Sequence, residues 1–238
     1  MLHSKTTTPV RERLICALDV PDAAAARTLV EQMGDAVQFY KIGLELAMGG
    51  DYFDLLDWLV ARGKRVFTDL KFYDIPNTVA SAVRQLAPRK PMFLTIHGDD
   101  GIMKAAVAEK GAMKILAVTV LTSLSDADLK SMGIEMNAGD LVLARARRAQ
   151  ALGCDGVVAS GHEAEALRKM LGPEFLIVVP GIRPASAASS DDQSRTVDVE
   201  EAFRLGASHI VMGRPLRGAP DPRRAAEDIQ ARIAKIFA

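Results

Sequence analysis

Eight short runs rich in apolar and β-branched residues recur along the chain: Leu14 to Leu18, Phe39 to Ile42, Arg65 to Leu70, Phe93 to His97, Lys114 to Val118, Gly156 to Ala159, Phe175 to Val179 and His209 to Met212. Runs of this length without polar alternation read as strands buried on both faces, the pattern of a parallel sheet. Between and after them lie amphipathic segments of helical period: Ala23 to Met33, Asp51 to Ala61, Asn77 to Leu86, Ile102 to Lys110, Asp140 to Leu152, Glu163 to Leu171, Val199 to Leu205 and Pro222 to Ile236. Asp22 and Asp51 are placed to cap helices, and Gly34, Gly111 and Gly153 to end them. Eight strands, each with its helix, predict an α/β fold of one kind, a single (β/α)8 TIM barrel. No Pro/Gly/Ser-rich linker interrupts the alternation, so residues 1–238 are expected to form one domain, with residues 1–12 a flexible lead-in.

Charge narrows the partners. Thirty basic residues balance thirty acidic ones, so no global field favours nucleic acid or an anionic membrane, and neither is expected as a partner. No apolar run approaches the ~20 residues needed to span a bilayer, and the polar start lacks the apolar core of a secretory signal, which makes a cytoplasmic location the expectation. Cys16 and Cys154 lie in apolar stretches without metal-ligand spacing and read as small core residues.

In a barrel of this kind chemistry sits at the C-terminal ends of the strands. The third run leads into Asp69-Leu70-Lys71-Phe72-Tyr73-Asp74-Ile75-Pro76-Asn77-Thr78, and strand alternation puts Asp69 and Lys71 on one face. Charges at an apolar barrel mouth are costly unless paired. The cluster therefore reads either as a structural ion-pair network or as a proton donor held among carboxylates. Asp19 closes the first run and Lys41 the second, so four charges from adjacent strands share one mouth, which favours the second reading.

This segment resembles the signature D-x-K-x-x-D-I-P-x-T of the orotidine monophosphate decarboxylase family, preceded by elements similar to its ALD and YK-x-G motifs, and the likeness covers nearly the whole chain. The resemblance implies a cofactor-free decarboxylation of a pyrimidine nucleotide, with no metal. It implies that Lys41, Asp69, Lys71 and Asp74 are catalytic, Lys41 and Asp69 also touching substrate, and that the enzyme is a homodimer in which Asp74 and Thr78 reach the neighbouring subunit's site. Asp19 resembles the family's ribose-hydroxyl contact. Thr122, with Ser123 as the alternative, resembles a contact near the base.

Barrels commonly bind phosphate in the loops after strands seven and eight. Here these carry Pro180-Gly181-Ile182-Arg183-Pro184 and Met212-Gly213-Arg214-Pro215. Gly213 permits close backbone approach, and Arg214 supplies a fork suited to phosphate. The stretch from Pro180 to about Val197 is too long for an idle connection. By resemblance, Pro180, Arg183 and Gln193 bind substrate there. Relatives continue with Thr-Pro where this chain reads Thr196-Val197-Asp198, leaving Asp198 to cap the next helix. His97 is assigned no chemistry. The rival reading is a hexulose-phosphate synthase or keto-gulonate-phosphate decarboxylase, which share D-x-K-x-x-D but use a divalent metal; the DIPNT continuation and the DQ-x-R loop argue against it. A noncatalytic phosphoribosyl-ligand sensor is the rival from another class.

Overall fold

The computed structural model describes residues 8–182 and 197–238. Its strands are β1 (Leu14–Ala17), β2 (Phe39–Gly43), β3 (Arg65–Phe72), β4 (Phe93–His97), β5 (Lys114–Val118), β6 (Gly156–Val158), β7 (Leu176–Val179) and β8 (His209–Met212). They pair in sequence order, all parallel, and close when Leu14, Ile15 and Cys16 of β1 register against Ile210, Val211 and Met212 of β8. This is the (β/α)8 barrel read from the sequence. Odd-numbered residues of β1 to β3 face inward: Ile15, Phe39 and Phe67 join Phe93 in one apolar cluster inside the barrel, whereas Leu14, Cys16, Tyr40 and Val66 join the larger cluster under the helices. The Phe39 and Phe93 rings lie 4.9 Å apart and the Phe67 and Phe93 rings 5.8 Å apart. They form a packed apolar layer beneath the mouth rather than a pore.

The helices are α1 (Ala23–Met33), α2 (Leu44–Met48), α3 (Tyr52–Ala61), α4 (Pro76–Leu86), α5 (Asp100–Glu109), α6 (Asp126–Ser131), α7 (Ala138–Ala151), α8 (Ala164–Leu171), α9 (Val199–Arg204), α10 (Arg214–Arg217) and α11 (Pro222–Phe237). Local chemistry sets their starts. Asp22 accepts the Ala25 N–H at 2.8 Å, and Asp99 accepts from Gly101 and Ile102, which starts α5 two residues before the sequence expectation. Pro76 takes the first position of α4, where its missing N–H is not needed. The short α6 was not anticipated; a reciprocal cap between Ser125 and Asp128 nucleates it. Asp51 and Asp198 occupy cap positions without side-chain cap bonds. The Asp198 carboxylate is instead taken by Arg232 of α11 at 2.7 Å, a charge-assisted pair that outcompetes the cap.

Strand β3 also runs two residues past Leu70 and bends. Thr68 pairs with Leu94, but the next pair is Phe72 with Ile96, so four residues of β3 span two of β4. Lys71, inside this irregularity, has φ 48°, in the left-handed region that side chains other than glycine rarely adopt. Among the described residues no helix is long and apolar enough to cross a membrane. Cys16 and Cys154 are buried free thiols, each pushed up to about 12, first by burial and then by Asp19 and Asp155 respectively, so neither is a ready nucleophile.

Candidate active site

Each inward row of the first strands changes from apolar to polar as it climbs: Ile15 and Ala17 lead to Asp19, Phe39 to Lys41, Phe67 to Asp69 and Lys71, and Phe93 to Thr95. The polar ends open on a cavity of about 230 Å³, lined by Asp19, Lys41, Asp69, Lys71, Thr122, Pro180, Gly213 and Arg214 among others. Eight of the residues named from the sequence thus meet in one place. Ser123 does not line the cavity, whereas Thr122 does. Arg183 and Gln193 lie outside the described residues. The described residues on either side of that stretch, Ile182 and Val197, form a parallel bridge.

The charges alternate. Lys41 Nζ lies 2.9 Å from Asp19 Oδ1 and 3.5 Å from Asp69 Oδ2, and Lys71 Nζ lies 2.9 Å from Asp69 Oδ1. Burial alone would lower the Lys41 pKa, but the opposing charges of Asp69 and Asp19 outweigh it and hold the ammonium above its ordinary value. Burial would likewise raise Asp69, yet Lys41, Lys71 and the hydrogen bonds from Lys71 and Thr95 keep it below the usual carboxylate range. Lys41 and Asp69 are therefore held as an ammonium and a carboxylate near neutral pH. The two ammoniums differ in access: the Lys41 side chain is 13% exposed and that of Lys71 32%, so Lys71 is the more open of the two to a ligand. Gly43 makes room for Lys41, because a Cβ there would come 3.3 Å from its Nζ.

Asp74 and Thr78 do not line this cavity. Both are exposed at the start of α4, where Asp74 Oδ1 accepts the Ile75 N–H at 2.6 Å. Beside them Tyr73 and Ile75 are 71% and 67% exposed, an unusual display of large apolar side chains. His97 stacks at a tilt on Tyr73, ring centroids 4.7 Å apart, and burial, followed by Arg145 and Lys71, lowers its pKa.

Two residues escaped the sequence reading. Arg217, one turn after Arg214 in α10, lines the cavity and donates to the Asp19 backbone carbonyl. Thr95 donates to Asp69 Oδ1 at 2.9 Å and accepts the Lys71 N–H at 3.0 Å. Its inward position in β4, two residues above Phe93, was the available signal.

Residues 12–229 match the sequence profile described as "Orotidine 5'-phosphate decarboxylase / HUMPS family". The orotidine 5'-phosphate decarboxylase of Methylococcus capsulatus is 56% identical over 230 residues, which cover 97% of this chain and 95% of that protein. The protein of the same name from Xanthomonas axonopodis pv. citri is 53% identical over 224 residues, covering 93% and 92%. The crystal structure of orotidine 5'-phosphate decarboxylase from Lactobacillus acidophilus superposes with a TM-score of 0.82 at 33% identity, covering 93% of this chain and 99% of that one.

Proposed function

The chain belongs to the orotidine 5'-phosphate decarboxylase / HUMPS family, and from that premise we propose that it converts orotidine 5'-monophosphate to uridine 5'-monophosphate in de novo pyrimidine biosynthesis, without a cofactor. The observation that carries this reading is the alternating row Asp19, Lys41, Asp69, Lys71 at the mouth of a single cavity. Loss of CO2 breaks the bond between C6 and the carboxylate carbon and leaves the electron pair on C6, where no neighbouring carbonyl delocalises it. A fixed ammonium is the group that stabilises such charge and then fills the vacancy with a proton. Lys71 has that part, and Asp69 holds it while disfavouring the substrate carboxylate. Lys41, paired with Asp19, fixes Asp69, and Asp19 meets the ribose hydroxyls. Gly213 and Arg214, with Pro180, Arg183 and Gln193 of the long loop, take the phosphate, and Thr122 faces the base. Phosphate binding far from C6 contributes by ordering the groups around the reacting carbon and excluding water.

The reading extends to assembly. Asp74 and Thr78 lie outside their own cavity on a surface where Tyr73 and Ile75 are exposed, which suits a homodimer in which they complete the partner's site. We read the whole chain as one barrel domain acting in the cytoplasm. The test is spectrophotometric: purified protein with excess EDTA should consume orotidine 5'-monophosphate and yield uridine 5'-monophosphate. Turnover that disappears with EDTA and returns with a divalent cation would instead favour the metal-dependent sugar-phosphate branch.

A further inference from the structure

The geometry points to Thr95 as the residue that positions the Asp69–Lys71 pair, a role that rests on the reading of that pair as the reacting centre. Thr95 is fully buried in β4 and does not line the cavity. It stands opposite the irregular part of β3, between Leu94, which pairs with Thr68, and Ile96, which pairs with Phe72. Asp69, Leu70 and Lys71 therefore pass β4 out of regular register, and the Lys71 N–H donates to Thr95 Oγ1 at 3.0 Å. The hydroxyl proton goes to Asp69 Oδ1 at 2.9 Å, the same oxygen that accepts from Lys71 Nζ at 2.9 Å.

The direction of each bond is forced. An amide N–H can only donate and an ionised carboxylate can only accept, so the hydroxyl must accept from one and donate to the other. The result is a closed ring: Lys71 N–H to Thr95, Thr95 to Asp69, and Lys71 ammonium to Asp69. It fixes both ends of Lys71, the backbone at φ 48° and the ammonium. It also assigns the two carboxylate oxygens, Oδ1 to Thr95 and Lys71, Oδ2 to Lys41 at 3.5 Å. Neighbouring Thr68 does nothing comparable, since its hydroxyl donates to the Phe93 carbonyl within the sheet. Local strain held by over-determined contacts is characteristic of positions where geometry matters to chemistry. Because Thr95 lies directly behind Asp69 and Lys71 and does not itself line the cavity, its loss should misplace the proton donor without removing a substrate contact.

The experiment compares Thr95→Val, which keeps the shape and removes the hydroxyl, with Thr95→Ser, which keeps the hydroxyl, and with Lys71→Ala in parallel. Expected for Thr95→Val is a fall in kcat on the order of tenfold to a hundredfold with KM and uridine 5'-monophosphate affinity unchanged, and for Thr95→Ser kcat restored close to the parent. A Thr95→Val kcat equal to the parent's beside an inactive Lys71→Ala would overturn the role of Thr95 alone. An active Lys71→Ala would overturn the underlying reading of the pair, and this inference with it. If Thr95→Val does not fold, Thr95→Ala carries the same expectation. Failure of both to fold, or a rise in KM without loss of kcat, would make Thr95 a support of the barrel and not of the pair.

Discussion

Lys71 meets Asp69, two residues earlier in the same strand, at 2.9 Å from a backbone that has left β geometry, with φ at 48°. The pair is not simply two neighbours on one face of a pleat, as alternation alone suggests. It sits where β3 slips by two residues against β4 while Asp69 still pairs with Gly43 of β2, so on the β4 side the charged end of the strand is held by the side-chain bonds to Thr95. The predictions below follow from that arrangement and from the groups around it.

Arg214 begins α10 after Gly213 and lines the cavity, and the proposed function assigns its guanidinium to the substrate phosphate, which such a fork can hold with two parallel bonds. Arg214→Ala should weaken binding of uridine 5'-monophosphate by at least about tenfold while leaving affinity for uridine unchanged. Calorimetric titration with both ligands checks this, and equal nucleotide affinity in mutant and parent would remove Arg214 from the phosphate site.

How much of this was legible in the sequence varies residue by residue, for physical reasons. Asp19, Lys41, Asp69 and Lys71 stood out because charges at the ends of buried strands are expensive and therefore conspicuous. Thr95 did not, because a hydroxyl in an apolar strand reads as packing until the strand beside it is seen to slip. Arg217 carries no signal in the sequence, because only the approach of α10 to the end of β1 brings it to the Asp19 carbonyl. The expected cap at Asp198 failed for a nonlocal reason: Arg232, 34 residues away, takes the carboxylate. The barrel itself was readable because period and order are local properties, whereas the bend in β3 depends on a cross-strand register that no single segment encodes.

If Asp74 completes the partner's site, two dead proteins should rescue each other. In a mixed dimer of Lys71→Ala and Asp74→Ala both defects fall in one site and the other is intact. Random exchange of equal amounts should restore about one quarter of the parent activity, since half the dimers are mixed and each has one good site. If exchange is demonstrated by differential tagging and no activity returns, Asp74 acts within its own chain.

His209 gives the barrel an acid sensitivity separate from its chemistry. Its ring is fully buried at 5.8 Å from Phe39 and 5.1 Å from Phe93, and neither nitrogen has a hydrogen-bond partner among the described residues. Burial first, then Arg13 and Lys114, lowers its pKa to about 3. The folded state therefore keeps the ring neutral while the unfolded chain takes up a proton below the ordinary value of 6.5. Unfolded chain binds more protons in that window, so stability falls as pH drops from 6.5 toward 3. In His209→Leu this part of the pH dependence should be missing from thermal unfolding midpoints measured across the window; an unchanged slope would contradict it.

The most direct test of the account is Lys71→Ala, assayed for decarboxylation and for ligand binding on the same folded preparation. In the proposed function Lys71 supplies the proton and the charge at C6, while the phosphate and ribose contacts are assigned to other residues. The account predicts that kcat/KM for orotidine 5'-monophosphate falls by roughly a thousandfold or more while uridine 5'-monophosphate still binds with affinity close to the parent's. Turnover within an order of magnitude of the parent would contradict the central claim that this ammonium, held by Asp69, does the chemistry.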